Sequence, residues 1–115
     1  MISRKNRFRG HKSLDYTYRH GKSYRSGSLG MKTAPSRGQD YRLAVVVSKK
    51  ISKSAVKRNR IRRRIFEQFR QMRAEHNHPI KHDIIVTVFS DDVATMPSDQ
   101  LTVLCKKLFQ PLTNT

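Results

Sequence analysis

The stretch that decides the fold is residues 48–73, which read SKKISKSAVKRNRIRRRIFEQFRQMR. From about Ser54 onward, apolar side chains recur at spacings of three and four residues, so they share one narrow face of a helix. These side chains belong to Ile61, Ile65, Phe69 and Met72. Ser54 is a good N-cap candidate, because a serine hydroxyl accepts a hydrogen bond from a free N–H group of the first helical turn. The stretch therefore predicts a helix that begins after Ser54 and packs one face against a sheet.

The remaining faces of this helix are strongly basic. Against the single acid Glu67 they carry the cations Lys57, Arg60, Arg62, Arg63, Arg64, Arg70 and Arg73. Like charges three or four residues apart repel by about 0.2–0.5 kcal/mol per pair, and almost no acid here offsets that cost. The pattern therefore indicates a surface that binds a polyanion and releases its counterions. By helical geometry Arg58 lies near the apolar stripe, and we expect it to project past the edge of the sheet.

The composition limits the classes of protein to which the chain can belong. Its 115 residues suffice for one domain with a modest core. Lys and Arg number 25 against 8 Asp and Glu, and the charge of +17 favours a nucleic-acid partner over an anionic membrane or an acidic protein. Cys105 is the only cysteine, which excludes an internal disulfide and fits a reducing compartment. Because no apolar run resembles a signal sequence or a membrane span, a cytoplasmic location is expected.

The chain divides into a basic arm and a single domain. Residues 1–12 are basic and poor in apolar groups, which predicts either a solvated arm or an arm that becomes ordered on RNA. Residues 13–112 contain no internal repeat and are expected to form one domain.

A short helix is predicted at the start of this domain. Residues 13–20 have Ser13 as a candidate N-cap, with Leu14 and Tyr18 on one face and Gly21 as the C′ residue. A helix of this length is marginal alone, so we expect it to pack on the sheet.

Three segments predict strands, and a last helix follows them. Residues 28–33 are a weak extended candidate, joined through a turn at residues 35–38 to a hairpin partner at residues 41–47. Residues 41–47 are almost continuously apolar, which predicts a strand buried on both faces in the middle of a sheet. Residues 84–89 form the third strand, and the stripe of the last helix consists of Leu101, Leu104, Cys105 and Leu108. The order of elements predicts an α+β fold with a single sheet of about four strands packed with helices.

The sequence contains no recognisable catalytic constellation. It has no Gly-rich phosphate loop, no Cys–His pair at a telling spacing and no paired carboxylates placed to raise a pKa. Two groups could suggest a metal site, and they are His76, His78 and His82, and Asp91, Asp92 and Asp99. Loop histidines and acids at the starts of helices are ordinary surface features, so we predict no metal site formed by protein groups alone.

The most specific motif joins an apolar strand to the start of the basic helix. Residues 43–47 precede Lys49-Lys50, and Ala55-Val56 then lead into Arg58-Asn59-Arg60. This arrangement resembles the RNR signature of the protein subunit of bacterial ribonuclease P, and the resemblance covers nearly the whole chain. It implies that the basic helix is the crossover of a left-handed βαβ unit, against the right-handed preference of such units.

The resemblance also implies a function. In that family the RNA subunit is the catalyst and uses Mg²⁺ to activate the water that cuts precursor tRNA at its mature 5′ end. The protein subunit binds the catalytic RNA and the single-stranded 5′ leader of the precursor. For this chain the resemblance implies no catalytic residue, Mg²⁺ bound mainly by the RNA, and no need for a protein oligomer.

Two sets of site residues follow from the resemblance. The set that faces the catalytic RNA consists of Lys49, Lys50, Lys53, Arg58, Asn59, Arg60, Arg62, Arg63 and Arg64, with Arg7, Arg9 and Lys12 from the arm. The set that forms a cleft for the leader consists of Leu14, Tyr18 and Lys32. Tyr18 either stacks on a base, a contact worth roughly 1–3 kcal/mol, or packs in the core. Leu14 departs from the family, in which aromatic residues are common at this position, and Lys32 also stands where an aromatic residue would fit.

Two alternatives from other classes remain open. A small ribosomal-type RNA-binding protein without a role in cleavage would have the same size and charge. An autonomous metal-dependent nuclease is the other alternative, and the small number of acids disfavours it.

Overall fold

The computed structural model describes residues 11–36, 40–76 and 78–113, with side chains from Leu14 onward. Its helices are α1 (His11–His20), α2 (Ala55–Glu75) and α3 (Ser98–Thr113), with a short 3₁₀ helix at Asp91–Ala94. Its strands are β1 (Lys22–Ser26), β2 (Leu29–Pro35), β3 (Arg42–Val46) and β4 (His82–Val88). The strands form one four-stranded sheet, which confirms the predicted α+β class. Among the described helices, none is both long and apolar enough to cross a membrane.

The sheet is mixed, with strand order β1-β2-β4-β3. β2 pairs antiparallel with β1 and β4, whereas β3 pairs parallel with β4. Parallel neighbours need a crossover connection, and α2 lies between β3 and β4 in the chain and supplies it. This agrees with the predicted βαβ unit, and its left-handed sense stays a prediction.

α2 begins and packs as the sequence predicts. The Ser54 Oγ accepts a hydrogen bond from the Lys57 N–H at 3.2 Å, so Ser54 is the N-cap. The first turn contains no acidic residue that would offset the positive end of the helix dipole. On the apolar stripe, Met72 is half-buried at the edge of the core, and the residues that are 0% exposed are Ile61, Ile65 and Phe69.

α3 covers the same face of the sheet as α2. The fully buried Phe69 ring lies 4.6 Å from the Tyr41 ring and 5.0 Å from the Phe109 ring, measured between centroids. This aromatic cluster joins the start of β3, α2 and α3 into one core. Of the predicted α3 stripe, Leu104 is half-buried, and the fully buried members are Leu101, Cys105 and Leu108.

The prediction that β3 lies in the middle of the sheet is wrong. β3 is an edge strand that pairs only with β4. Leu43 and Val45 face the core, whereas Ala44 is half-buried and Val46 is 37% exposed. Small apolar residues are tolerated on a partly exposed face, so an apolar run by itself does not distinguish an edge strand from a central one. The two central strands are β2 and β4, and both are buried along most of their length.

The predicted hairpin between residues 28–33 and 41–47 is also wrong. β2 pairs instead with β1, a strand of mostly polar residues that the sequence pattern did not predict. The two are joined by a two-residue turn in which Gly27 has a φ of +53°, a conformation that favours glycine. Most side chains of β1 are polar and exposed, so the segment lacks the apolar pattern that predicts a strand. Its pairing with β2 makes it a strand.

α1 begins at His11, two residues before the predicted start at Ser13. It packs on the face of the sheet opposite α2, and its fully buried residue is Thr17. Gly21 follows the helix as predicted, but for a different reason, because its φ is not positive. A Cβ on Gly21 would lie 2.5 Å from the Thr17 carbonyl oxygen and 3.0 Å from that of Thr33. Glycine is therefore required by the close approach of α1 to β2.

Candidate nucleic-acid interface

The loop between β3 and α2 is a compact turn that presents lysines. The N–H groups of Ile51 and Ser52 both donate to the Ser48 carbonyl oxygen, and the Ile51 side chain packs partly buried against the core. With Ile51 directed inward, the exposed residues of the turn include Lys49, Lys50 and Lys53. These lysines have no hydrogen-bond or ion-pair partner within residues 40–76 or the other described ranges.

The exposed side of α2 continues this positive surface. Arg60 and Arg63 are exposed, and neither pairs with another group in the described part of the chain. They border an open depression of about 430 Å³, together with Val56 and the exposed Asn59. We call the surface made by Lys49, Lys50, Lys53, Asn59, Arg60 and Arg63 the basic surface. It combines unpaired cations with an amide that can donate and accept hydrogen bonds.

Three predicted RNA-facing arginines make contacts within the fold. Arg58 is half-buried and donates to the Ser52 carbonyl oxygen at 2.9 Å, so it ties α2 to the preceding turn. Arg62 donates to Asn59 Oδ1 at 3.1 Å on the helix surface. Arg58 and Arg62 thus border the basic surface and help to shape it.

Arg64 is bound more extensively within the fold. Its guanidinium donates to the Val93 carbonyl oxygen at 2.7 Å and to the Met96 carbonyl oxygen at 2.5 Å. These carbonyls lie at the end of the 3₁₀ helix and just after it. Arg64 therefore holds this segment against α2, a structural role that the sequence did not predict.

The ion pairs of the described residues use cations outside residues 58–64. Ion pairs join Lys57 to Asp91, Arg70 to Glu67, Arg73 to Asp40, Arg42 to Asp83 and Arg19 to Asp15. The hydrogen bond from Arg70 lowers the pKa of Glu67, so this acid stays ionised and paired. No carboxylate within the described ranges pairs with an arginine between residues 58 and 64. Ion pairs within the described ranges therefore leave the charge of the basic surface unneutralised.

A cleft of about 330 Å³ lies on the opposite face of the sheet, beside α1. Its lining includes two of the predicted leader-cleft residues, Tyr18 and Lys32. Tyr18 is 40% exposed, so its ring is available at the mouth of the cleft. The Lys32 Nζ donates to the Tyr18 carbonyl oxygen at 2.6 Å, which ties α1 to β2. Leu14 is half-buried and does not line the cleft.

Sequence reasoning missed the other wall of this cleft. It is formed by Phe89, which is 44% exposed at the end of β4, and by Arg25 of β1. The Arg25 guanidinium carbon lies 4.2 Å from the centroid of the Phe89 ring. Side chains alternate along β4, so Ile85, Thr87 and Phe89 share one face of the sheet, and this pattern could have predicted Phe89 on the side of the cleft. β1 was not recognised as a strand, so nothing in the sequence placed Arg25 beside it.

Some predicted residues fall outside the description. Arg7 and Arg9 lie outside the described residues, and Lys12 is described only as part of the backbone of α1. The basic-arm prediction for residues 1–12 therefore stays a prediction.

The acids considered as metal ligands include Asp91 and Asp92, and both have partners within the protein. The Asp91 carboxylate pairs with Lys57, and the Asp92 carboxylate accepts a hydrogen bond from Ser28 at 3.2 Å. Among the described residues, no group of three or more His, Cys, Asp or Glu side chains could hold a metal ion. Burial lowers the pKa of His82, which lies on β4 and not in the preceding loop.

The comparisons with known proteins place this geometry in a family. The family model described as Ribonuclease P matches residues 2–113. This chain belongs to the ribonuclease P protein family. The ribonuclease P protein component of Pseudanabaena sp. (strain PCC 6903) is 36% identical over 101 residues, which cover 87% of this chain and 84% of that protein.

Solved ribonuclease P proteins share the fold. The protein from Staphylococcus aureus, solved at 2.0 Å, is 25% identical with a TM-score of 0.76 over 92% of this chain and 94% of its own. The protein from Thermotoga maritima is 20% identical with a TM-score of 0.73 over 95% and 96% of the two chains. The family expected from the strand, lysine pair and Arg-Asn-Arg motif is therefore confirmed.

Proposed function

We propose that this chain binds the catalytic RNA of ribonuclease P through the basic surface and the 5′ leader of precursor tRNA through the cleft beside α1. In this role it assists the Mg²⁺-dependent endonucleolytic maturation of the tRNA 5′ end, and bond cleavage is left to the RNA. Family membership supports the role of protein component. The chemistry of the two surfaces supports the division between two RNA partners.

The observation that carries the proposal is the unneutralised charge of residues 58–64 and of the preceding turn. Cations that lack an internal acid gain free energy by displacing counterions from an RNA backbone. The N-terminus of α2 adds its helix dipole at the same place, without an acidic residue in the first turn to offset it. Backbone and 2′-hydroxyl groups are the features that a structured RNA presents to such a surface.

The cleft suits a single strand better than a helix. It combines an exposed tyrosine, a phenylalanine and two cations, Lys32 and Arg25. Proteins bind single-stranded nucleic acid by stacking bases on aromatic rings while cations follow the backbone. The leader of precursor tRNA is the single-stranded segment available to a ribonuclease P protein.

Mg²⁺ is assigned to the RNA partners in this proposal. Five of the eight acids of the chain form ion pairs with Lys or Arg, and those acids are Asp15, Asp40, Glu67, Asp83 and Asp91. Paired carboxylates are poor ligands for a hard cation that needs several oxygen donors. The chain would act on the metal indirectly, because a polycation reduces the repulsion between two RNA molecules that must approach each other.

The test is precursor tRNA cleavage by protein, catalytic RNA and their mixture, run in parallel at low Mg²⁺. We expect cleavage at the mature 5′ end only in the mixture. Cleavage by the protein alone would support an autonomous nuclease, and a mixture no faster than the RNA alone would support a general RNA-binding protein. Either result would overturn the proposal.

A matched pair of variants locates the interface. Arg60→Ala/Arg63→Ala removes two exposed cations of the basic surface, and Lys106→Ala/Lys107→Ala removes two exposed cations from α3. The first pair is expected to weaken binding of the catalytic RNA, while the second leaves it nearly unchanged. Equal losses would mean that only net charge matters.

A further inference from the structure

The wall of the cleft formed by Phe89 has an unusual support. A Cβ on Gly30 would lie 2.6 Å from Phe89 Cε2 and 3.1 Å from Phe89 Cζ. The ring therefore rests directly on the backbone of β2, at a position that only glycine leaves open. At 44% exposure, Phe89 is a large apolar side chain that rests on the sheet through Cε2 and Cζ and lines the cleft.

Arg25, the partner of Gly30 on the neighbouring strand β1, lies over a face of the ring. Its guanidinium carbon lies 4.2 Å from the ring centroid, and its Nε donates to the Gly27 carbonyl oxygen at 3.3 Å. A cation at this distance from an aromatic face is held by the ring quadrupole. Because Arg25 is itself exposed and lines the cleft, the guanidinium has a second face available to a ligand.

We infer that the stack of Gly30, Phe89 and Arg25 is a nucleobase-binding position in the cleft, at which one unpaired base of a single-stranded RNA stacks on the guanidinium plane. The inference rests on the proposed function and deepens it, because it names the part of the cleft that receives a base. Arginine planes and aromatic rings are the usual platforms for splayed RNA bases.

On the opposite wall of the cleft, the strand residue is a lysine and offers no ring on which a base could stack. There Lys32 is held by the Tyr18 carbonyl oxygen, and its Nζ lies 5.9 Å from the centroid of the Tyr18 ring. Lys32 supplies charge but no flat surface. The stacking surface on the strands is supplied by Phe89 and Arg25, with Lys32 left to meet the phosphates.

The variants separate stacking from charge and from packing. Arg25→Lys keeps the charge and removes the plane, Phe89→Leu keeps an apolar group and removes the ring, and Phe89→Tyr keeps both ring and shape. Gly30→Ala pushes the ring off the strand, since the added Cβ would be within 2.6 Å of it. Tyr16→Leu is the matched control, because Tyr16 is 58% exposed on α1 and does not line the cleft.

The measurement is the affinity of the reconstituted protein–RNA complex for precursor tRNA with a leader and for tRNA without one. We expect Arg25→Lys, Phe89→Leu and Gly30→Ala each to weaken binding of the leader-bearing substrate by about five- to 150-fold, the range that loss of one stacked base gives. Leaderless tRNA, Phe89→Tyr and Tyr16→Leu should remain within about two-fold of the unaltered protein. A leader carrying 2-aminopurine at successive positions should show one quenched position, whose quenching is relieved in Phe89→Leu.

The outcomes distinguish failure of the proposed function of the cleft from failure of the stacking position alone. If the unaltered protein shows no preference for the leader, the proposed function of the cleft fails. If it shows the preference and Phe89→Leu retains it, only the stacking position is overturned. An Arg25→Lys variant that binds as well as the unaltered protein would likewise overturn the stack, since charge alone would then suffice. Losses that are equal with and without a leader would indicate damage to the fold and would also overturn it.

Discussion

Two arginines one helical turn apart show how the same residue type takes different roles. Arg60 is exposed and has no partner in the described part of the chain, whereas Arg64 donates to two backbone carbonyls. Both belong to the same basic run, so the sequence assigned both to RNA. Their difference depends on Val93 and Met96, which lie 29 and 32 residues beyond Arg64.

We therefore expect the two alanine substitutions to have different effects. Arg60→Ala should leave the free energy of unfolding nearly unchanged and reduce the slope of log affinity for the catalytic RNA against log salt by about 1. Arg64→Ala should lower the free energy of unfolding by about 1–3 kcal/mol, because two partly buried carbonyls lose their donors. Urea unfolding and salt-dependent RNA binding measure the two quantities.

A single double-mutant cycle checks this assignment. Because the two roles are independent, the stability loss of Arg60→Ala/Arg64→Ala should equal that of Arg64→Ala alone. An Arg64→Ala variant of normal stability with a reduced salt slope would instead identify Arg64 as an RNA contact.

At the scale of elements, Asp40 is the junction of three segments. Its carboxylate accepts hydrogen bonds from the N–H groups of Tyr41 and Ile80 and from the Arg73 guanidinium. It thereby joins the start of β3, the end of α2 and the segment that leads into β4. Burial acts to raise the pKa of Asp40, but the bonds from Arg73, Tyr41 and Ile80 outweigh it and hold the pKa below its usual value of 3.8.

This lowered pKa sets a pH dependence. A carboxyl group whose pKa is lower in the folded state contributes stability above its unfolded pKa, and the contribution is lost as the pH falls through the folded value. Asp40→Asn should lower the free energy of unfolding at pH 7 by about 1–3 kcal/mol and flatten its decline below about pH 4. Urea titrations between pH 2 and 7 would test this.

The control is another acid in an exposed pair. Asp15 lies 3.8 Å from Arg19, and both side chains are mostly exposed, so Asp15→Asn should change stability by less than about 0.5 kcal/mol. An Asp40→Asn variant with the same acid profile as the unaltered protein would contradict the junction role.

The elements also show which features a sequence can predict. α2 and the apolar stripe of α3 were predictable because helical periodicity and the Ser54 cap are local signals. β1 and the edge position of β3 were not, since strand pairing is decided by segments far apart in the chain. The lysines and exposed arginines of the basic surface were predictable because they belong to one continuous stretch of sequence. The wall formed by Arg25 and Phe89 was not, because it depends on the turn at Gly27 and on the position of the end of β4.

For the whole molecule, the dominant feature is a charge of +17 on 115 residues. Self-repulsion of this size destabilises the compact state, and salt relieves it. Raising the salt from about 0.01 M to 0.1 M shortens the Debye length from about 30 Å to 10 Å. The midpoint of thermal unfolding should therefore rise, by about 4 °C if the relief amounts to about 1 kcal/mol.

A charge-reduced variant separates screening from other salt effects. Arg60→Glu/Arg63→Glu lowers the net charge from +17 to +13, because each exchange removes two positive charges. It should unfold at a higher temperature than the unaltered protein in low salt and gain less from added salt. A midpoint that does not depend on salt in either protein would show that the cations are too far apart to repel.

The position of β4 has a consequence for synthesis on the ribosome. This strand is the last of the four to be translated, yet both β2 and β3 depend on it as a neighbour in the sheet. Until it emerges, the nascent polypeptide already carries residues 48–73 but lacks the strand that joins β2 to β3. It lies at that stage beside ribosomal RNA, an abundant polyanion. We therefore expect an interrupted translation product that ends before His82 to remain on the ribosome surface as an unfolded polycation, and completion of the fold by β4 and α3 to be the event that releases it.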